Sequence, residues 1–332
     1  MRVVVVSSYP PRHCGIGAYA HTQVQRLREE GHDVTVISPL DGAGDVRVPF
    51  WSGRPFREAA RRSGRGDRVV VHFQPALYLK PRSPLAKVAA ALSLLALVLR
   101  RRGTELLVHE ADRPRWWRPD EVLVGAAFRA APLLLFHTER ERRALESAYR
   151  IRVRARVVPH TAGVRVSGPA DRAAARHRLG LPPAEPVLLC AGFIHPDKGF
   201  DRAIEAFGRT AKAGGRLVVV GSTRDDAPAN RAYAGRLRAL AAATPGVELV
   251  ERYVSDDELD DWIAAADALV LPYRRSWSSG ALARAQVLGT PAIVTAVGGL
   301  PEQAGERDVV VRDDDELAHA MAAALDRTEA TG

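Results

Sequence analysis

Apolar runs of strand length alternate with helix-length segments twice along this chain of 332 residues. In the first half the runs occupy residues 2–7, 34–38, 68–73, 105–109, 132–137 and 154–159. In the second half they recur at residues 187–191, 216–221, 247–251, 268–271 and 292–295. Continuous apolar runs are typical of parallel strands buried on both faces, and their alternation with helices indicates an α/β fold. We therefore predict two Rossmann-like, doubly wound domains.

The predicted domain boundary lies between residues 160 and 182, where turn residues and charges interrupt the alternation. We place an N-terminal domain at residues 1–165 and a C-terminal domain at residues 166–332, which are ordinary domain sizes. A content of 46% hydrophobic and 26% charged residues is typical of a soluble globular protein. Doubly wound sheets bind ligands at the carboxyl ends of their strands, so the loops that follow the strands are the candidate sites.

Lys198 lies in a glycine-containing loop, residues 191–199, between a predicted strand and a predicted helix at residues 200–210. The chain takes most of its positive charge from arginine, so a lysine here is unusual. A flexible ammonium group beside a helix N-terminus can bind phosphate, because free N–H groups and the helix dipole both favour an anion. The alternative is a solvent-exposed lysine in an ordinary loop.

Two other loops also join strands to helices. Residues 10–17 contain Gly15 and Gly17, which would let the backbone approach a ligand, although a tight turn would need glycine as well.

The second of these loops, residues 273–279, ends in serines that can cap the next helix. The N–H groups of Ser279, Gly280 and Ala281 would then hold a diphosphate. Ordinary helix capping predicts the same serines without any ligand.

His109 follows a predicted strand, where an α/β sheet binds ligands. His72, His137 and His160 occupy similar positions, so position alone does not select His109.

A loop at residues 113–118 interleaves Trp116 and Trp117 with arginines. Tryptophan faces stack on sugars or bases and arginine binds phosphate, which predicts an acceptor-side contact. A loop pinned to the protein's own surface is an equal alternative.

The formal charge of +9 suits nucleotide phosphates, anionic membranes or nucleic acid. Nucleic-acid binding is the weakest of these interpretations, because the basic residues form no known recognition helix.

Residues 88–99 are nearly all apolar and precede three arginines, which favours a buried helix. The alternative is an interfacial helix in peripheral contact with the inner face of a membrane. No signal peptide precedes the first strand, which predicts the cytoplasm. The two cysteines suggest neither a disulfide framework nor a zinc site.

Taken in order, these segments resemble the retaining GT-B glycosyltransferases that use nucleotide sugars, in the large family 4-like group that includes bacterial mannosyl- and glucosyltransferases. The stretches that carry the resemblance are residues 9–17, 157–160, 192–199, 265–273, 289–291 and 298–302. The resemblance implies two domains around a cleft, with donor contacts in the C-terminal domain and most acceptor contacts in the N-terminal one. It also implies catalysis without a metal or a cofactor, the nucleoside diphosphate sugar being a substrate.

The resemblance assigns roles to single residues. Lys198 matches the lysine that binds the diphosphate, Gly15 matches the loop facing it, and His109 matches the histidine that touches the transferred sugar, which makes it the candidate catalytic residue. Arg252 and Tyr253 end a C-terminal strand and are candidates for contact with the nucleotide base.

Five positions need separate comment. Phe193 replaces a common arginine, for which His195 is a substitute on the phosphate side. Ser276 and Arg284 replace two glutamates that the group usually carries, of which the first holds the ribose or the sugar. Glu302, in the last matching stretch, is a further candidate without an assigned role.

The sequence therefore predicts a retaining, metal-independent, hexosyl-type glycosyltransferase that uses a nucleotide sugar. The acceptor would be a small molecule, a glycan or a lipid-linked molecule. The missing glutamates motivate an alternative, a relative that binds a nucleotide sugar without transferring it.

Overall fold

The computed structural model describes residues 1–79, 83–110, 114–166, 168, 171–210, 215–223 and 226–329, with side chains described to residue 326. The chain divides into two compact units, Met1–Gly163 (unit 1) and Val164–Gly332 (unit 2). This division falls close to the boundary predicted after residue 165. Arg113, which begins the predicted tryptophan-rich loop, lies outside the described residues.

Unit 1 contains a seven-stranded parallel sheet in the order β3-β2-β1-β4-β5-β6-β7. Its strands are β1 (Arg2–Val6), β2 (Asp33–Ser38), β3 (Val46–Arg47), β4 (Arg68–Phe73), β5 (Thr104–Val108), β6 (Leu133–Phe136) and β7 (Ala155–Val157). The valines at positions 3–6 of β1 are fully buried between β2 and β4. A strand covered on both faces explains why the run shows no alternation of apolar and polar residues.

The helices of unit 1 lie between these strands. They are α1 (Gly15–Glu29), α2 (Arg54–Arg62), α3 (Pro75–Tyr78), α4 (Pro84–Arg100), α5 (Pro119–Ala130) and α6 (Glu139–Tyr149), with 3-10 turns at Phe50–Ser52 and His160–Gly163. Helix α4 packs between α2 and α5. Its buried face includes Leu94 and Leu97, whereas Leu92 and Leu99 are 49% and 65% exposed, so α4 is only half covered. In the described part of the chain, no helix combines the length and the apolar character needed to cross a membrane.

Unit 2 repeats the plan with a six-stranded parallel sheet in the order β10-β9-β8-β11-β12-β13. Its strands are β8 (Val187–Ala191), β9 (Arg216–Gly221), β10 (Val247–Glu251), β11 (Ala268–Leu271), β12 (Ala292–Thr295) and β13 (Val309–Val311). Its helices are α7 (Arg172–Leu179), α8 (Phe200–Thr210), α9 (Pro228–Ala243), α10 (Asp256–Ala265), α11 (Gly280–Leu288), α12 (Leu300–Gln303) and α13 (Asp314–Glu329), with a 3-10 turn at Pro196–Lys198.

The strand order reverses once in each sheet, beside β1 in unit 1 and beside β8 in unit 2. At such a switch point, the loops after two neighbouring strands run in opposite directions and leave a crevice for a ligand. In unit 2 these are the loops after β8 and β11, which contain Lys198 and Ser279. The topology therefore brings two of the predicted phosphate-binding segments to one place.

Candidate functional site

The loop after β8 presents Lys198 beside an aromatic ring. Lys198 Nζ lies 3.9 Å from the centroid of the Tyr273 ring. No carboxylate among the described residues pairs with this ammonium group. A cation over an aromatic face gains about 0.5–1 kcal/mol at an exposed site and keeps its charge uncompensated. Lys198 is therefore positioned by a ring and remains free to bind an anion.

The same ring reaches the start of α11. The hydroxyl of Tyr273 lies 3.3 Å from Ser279 Oγ, and this oxygen caps the helix by accepting from Leu282 N at 3.3 Å. The N–H of Ser279 is already used, because it donates to Gln303 Oε1 at 2.8 Å.

Two N–H groups at this helix start have no acceptor among the described residues, those of Gly280 and Ala281. Ser279, the residue before them, contacts the same tyrosine that holds Lys198, and free N–H groups at a helix start favour an anion. Of the three N–H groups that the sequence named at this helix start, that of Ser279 is engaged within unit 2. Binding of a diphosphate by the other two stays a prediction.

An ion pair fixes the loop after β11 to the start of α8. Arg274, in the loop after β11, donates to both carboxylate oxygens of Asp201 at 2.7 and 2.8 Å. Asp201 is 2% exposed and also accepts from the hydroxyl of Tyr233 at 2.8 Å. Burial alone would raise the pKa of Asp201, but the bonds from Arg274 and Tyr233 hold that pKa below its usual value. Arg274 is thus occupied in fixing the loop, although it stands near the candidate site.

His195 forms a hydrogen bond within its own loop. Its Nδ1 accepts from Asp197 N at 3.2 Å and caps the short 3-10 turn that carries Lys198. This contact gives His195 a structural role in the loop.

The candidate residues for the nucleotide base lie at the edge strand β10. Arg252 donates to Glu258 Oε2 at 2.8 Å, so its charge is matched by a carboxylate. Tyr253 is 44% exposed and follows directly. The structure therefore offers the tyrosine ring rather than a free guanidinium for stacking at this position.

The two positions without the usual glutamates are both engaged within unit 2. Ser276 Oγ donates to the carbonyl of Ser278 at 2.9 Å, which stabilises the loop before α11. Arg284 points from α11 to α10, where it donates to Asp260 Oδ1 at 2.6 Å and lies 3.5 Å from Asp256. These carboxylates match its positive charge. Glu302 is an exposed residue in the first turn of α12.

In unit 1, the loop after β1 leads into α1 at Gly15. A Cβ atom added at Gly15 would meet nothing within 4 Å, whereas one at Gly17 would lie 3.3 Å from Tyr9 N. The packing of unit 1 therefore explains Gly17 but gives no reason for glycine at position 15. Close approach of a ligand remains a sufficient reason for Gly15.

Four histidines gather at the carboxyl ends of β4 to β7, around the buried ring of Tyr19. His72, His109, His137 and His160 each lie with their ring centroids 5.2–5.8 Å from that ring. The sequence placed each histidine at a strand end but did not reveal that they share one cluster.

These histidines are held neutral by burial. Desolvation lowers the pKa of His72 and of His160 to about 3 and that of His137 to about 4. The pKa of His109 is also well below its ordinary value because of burial and the neighbouring imidazoles. His109 retains partial exposure and so presents the cluster to solvent.

The tryptophan-rich loop is exposed, but its described arginines are paired. Trp116 and Trp117 are 50% and 80% exposed. Arg115 donates to Glu121 Oε1 at 2.8 Å, and Arg118 donates to Asp120 Oδ2 at 2.7 Å. The loop therefore offers indole faces rather than unpaired guanidinium groups.

Across the described residues, no group of three or more His, Cys, Asp or Glu side chains could hold a metal ion.

Sequence reasoning missed several residues that shape these sites. Tyr273 and Gln303 organise the start of α11, and Asp201 fixes the loop before it. Gln23 forms a hydrogen bond to His72, which in turn contacts His109. Tyr273 lies in one of the resembling stretches, but its ring position depends on a loop conformation that no spacing specifies.

Known families and proteins share features with this chain. Residues 185–327 match the family described as glycosyl transferases group 1. A D-inositol 3-phosphate glycosyltransferase of Streptomyces bingchenggensis is 39% identical over 204 residues, which cover 58% of this chain and 42% of that protein. One of the same name from Nocardioides is 37% identical over 207 residues, covering 58% and 44%. The matches thus span less than half the length of these curated relatives.

Solved structures share the fold at low sequence identity. Sucrose-phosphate synthase from Thermosynechococcus elongatus gives a TM-score of 0.74 at 17% identity, covering 99% of this chain and 90% of that one. An α,α-trehalose-phosphate synthase from Burkholderia xenovorans gives 0.72 at 13% identity, with coverages of 98% and 92%. An Anabaena protein in complex with UDP and glucose gives 0.69 at 16% identity, with coverages of 99% and 91%.

Two parallel α/β units with these neighbours define the protein as one of GT-B fold, as the sequence predicted. More narrowly, unit 2 carries a glycosyl transferases group 1 domain, which confirms the resemblance found in the sequence. The match includes every donor-side candidate residue of unit 2, from His195 to Glu302.

Proposed function

We propose that this protein is a retaining, metal-independent glycosyltransferase that moves a hexosyl-type sugar from a nucleoside diphosphate sugar to an acceptor hydroxyl. The observation that carries the proposal is Tyr273, whose ring holds Lys198 and whose hydroxyl contacts Ser279 at the start of the helix with the open N–H groups of Gly280 and Ala281. The group 1 match over the same segment supports it.

The chemistry follows from where charge develops. The bond between the sugar and the diphosphate breaks while the acceptor oxygen bonds to the anomeric carbon on the same face. The leaving diphosphate accepts the proton of that hydroxyl. Lys198 and the helix N–H groups stabilise the departing charge, and because they are already oriented, they do so without reorganisation. In this proposal His109 contacts the transferred sugar from unit 1.

The names of the relatives support a choice of acceptor to test. Two of them are named for D-inositol 3-phosphate, so a phosphorylated polyol is the first acceptor to test. Glycans and lipid-linked acceptors are the next classes.

We also propose a cytoplasmic protein with peripheral contact at the inner membrane face. The support is the half-exposed helix α4, whose Leu92 and Leu99 are 49% and 65% exposed, together with Trp117, which is 80% exposed. Residues 84–103 contain basic but no acidic side chains, which suits an anionic surface. Flotation with anionic vesicles should carry the protein upward, and the double substitution Leu92→Ser/Leu99→Ser should weaken this. Equal flotation with and without vesicles would contradict the contact.

A second candidate function is nucleotide-sugar binding without transfer. Ser276 and Arg284 are both engaged within unit 2, and neither supplies a carboxylate to a donor. Donor binding without product across a broad acceptor panel would favour this candidate, and any transfer would exclude it.

The first experiment is thermal stabilisation by UDP-, GDP-, ADP- and dTDP-sugars. A ligand that binds only the folded state raises Tm. At 100 times its Kd it adds about 2.7 kcal/mol to the free energy of unfolding. We expect one nucleotide to raise Tm, Lys198→Ala to remove most of the shift, and Lys87→Ala, which removes a lysine of α4, to keep it. A shift that survives in Lys198→Ala would contradict the proposed phosphate site.

A further inference from the structure

His109 is the exposed end of a hydrogen-bonded chain that runs through the interior of unit 1. Gln23, on α1, places Oε1 3.0 Å from His72 Nε2. His72 in turn places Nδ1 3.0 Å from His109 Nε2. The two imidazoles stack, with centroids 5.2 Å apart and planes 17° from parallel.

The hydrogen bonds from Gln23 to His109 run in one direction, because the oxygen of Gln23 can only accept. An amide oxygen has no proton to donate, so the bond to Gln23 requires a proton on His72 Nε2. His72 is fully buried and neutral, so it carries a single ring proton, and its Nδ1 must be an acceptor. The bond between the two rings is then donated by His109 Nε2.

His109 is therefore left with an unprotonated Nδ1. The ring is neutral, because a second proton would place a charge against His72, His137 and His160 in a desolvated cluster. Nδ1 of His109 has no hydrogen-bond partner in the part of the chain that the structure describes, and the residue is partly exposed.

We propose that Gln23 and His72 are positioning residues that fix the tautomer of His109, so that its Nδ1 accepts a hydrogen bond from a hydroxyl of the bound sugar or acceptor. This inference rests on the proposed function for its ligand, a polyhydroxylated molecule at His109. It extends that function by stating the chemistry of the contact. The ligand must donate at this point, so a fluorine or a methoxy group in place of the hydroxyl would be rejected.

The tautomers can be read directly in the full-length protein. Long-range proton–nitrogen correlation spectra of a sample labelled with ¹⁵N-histidine distinguish protonated from unprotonated ring nitrogens. We expect His72 and His109 both to carry their proton on Nε2 at pH 7, with signals assigned by single His→Gln variants. A proton on Nδ1 of His109 in the wild-type protein would overturn the proposal, whatever the activity.

Three substitutions on α1 test whether Gln23 determines the tautomer of His109. Gln23→Met removes the acceptor at similar volume, so His72 can reverse and His109 should show a mixture of tautomers. Gln23→Glu keeps an accepting oxygen and should restore the wild-type pattern. Gln25→Met makes the same chemical change two positions along the helix and should leave the spectrum unchanged. An unaltered His109 signal in Gln23→Met would refute the role of Gln23.

Kinetics separate this inference from the proposed function. We expect Gln23→Met to lower kcat/KM by about tenfold, the value of one hydrogen bond, with Gln23→Glu near wild type. An altered tautomer with unchanged kcat/KM would overturn the positioning role while leaving transfer intact. The expected tautomers in a protein that transfers no sugar would support the hydrogen-bonded chain and count against the proposed function.

Discussion

Tyr273 organises the candidate donor site through two contacts, although no role in binding or catalysis was predicted for it from the sequence. Its face holds Lys198 Nζ at 3.9 Å, and its hydroxyl lies 3.3 Å from the capping oxygen of Ser279. A neutral ring leaves the charge of the lysine available, whereas a carboxylate in the same place would neutralise it. Lys198 and the start of α11 therefore depend on a common support.

The two contacts of Tyr273 can be separated by substitution. Tyr273→Phe keeps the face and loses the hydroxyl, so the Kd for the stabilising nucleotide should rise less than threefold. Tyr273→Leu loses both contacts, and we expect about a tenfold rise, equal to about 1.4 kcal/mol. Titration calorimetry measures both values. Equal Kd values for the two variants would mean that the ring face does not position Lys198.

Gly199 is required by its loop for two reasons. Its φ is +63°, and a Cβ atom there would lie 2.1 Å from the carbonyl oxygen of Pro272. Gly180 has nearly the same φ, +67°, but open space around the added atom. Gly180→Ala should therefore lower the free energy of unfolding by about 1 kcal/mol, the cost of a left-handed alanine. Gly199→Ala should lower it by about 3 kcal/mol or more, because a backbone must also move.

Denaturant unfolding of the two glycine variants provides the comparison. If Gly199→Ala were no more destabilising than Gly180→Ala, this result would contradict the close approach of Gly199 to the carbonyl oxygen of Pro272. The sequence shows the two glycines as equivalent loop residues, and only the neighbouring carbonyl distinguishes them.

At the scale of elements, strand order brings together two loops that the sequence predicted as candidate phosphate-binding segments. Lys198 and Ser279 follow strands on either side of a switch point, so topology alone brings them together. The partner of Arg284 could not be predicted in this way, because its contact with Asp260 depends on how α11 packs on α10. The histidine cluster required the order β4-β5-β6-β7, which the strand pattern does not specify.

The histidine cluster makes unit 1 sensitive to acid. His72, His137 and His160 have pKa values of about 3, 4 and 3 in the folded protein, because burial disfavours their charged forms. In the unfolded chain each would titrate near 6.5. Below that pH the unfolded state binds more protons, so stability is complete above pH 6.5 and falls towards pH 4.

We expect the free energy of unfolding to fall by more than about 3 kcal/mol between pH 7 and pH 5, at up to about 1.4 kcal/mol per pH unit for each histidine. Denaturant titrations across this range measure the slope. His160→Gln should reduce the slope, since glutamine does not titrate, whereas His177→Gln, on the exposed face of α7, should not. An unchanged slope in His160→Gln would show that His160 is not held neutral by burial.

At the scale of the molecule, the sequence correctly predicted two doubly wound units and the glycosyl transferases group 1 domain of unit 2. The repeated apolar runs are sufficient for that, because each buried parallel strand is recognisable by itself. Side-chain contacts were harder to predict, since Tyr273, Gln303 and Gln23 act through neighbours that are remote in sequence. The sequence located the residues that follow the strands, but it did not reveal the side chains that contact and orient them.

The donor site should respond to a nucleotide in unit 2 alone, and amide exchange can show where. The N–H groups of Gly280 and Ala281 lack acceptors among the described residues, so they should exchange quickly in the free protein and slow down when a diphosphate accepts from them. The N–H of Leu282 already donates to Ser279 Oγ and serves as the internal control, with a smaller change. Exchange at single-residue resolution with the stabilising nucleotide measures all three. Protection at Tyr253 without protection at Gly280 would place the nucleotide elsewhere in unit 2 and contradict the phosphate site on which the proposed transfer depends.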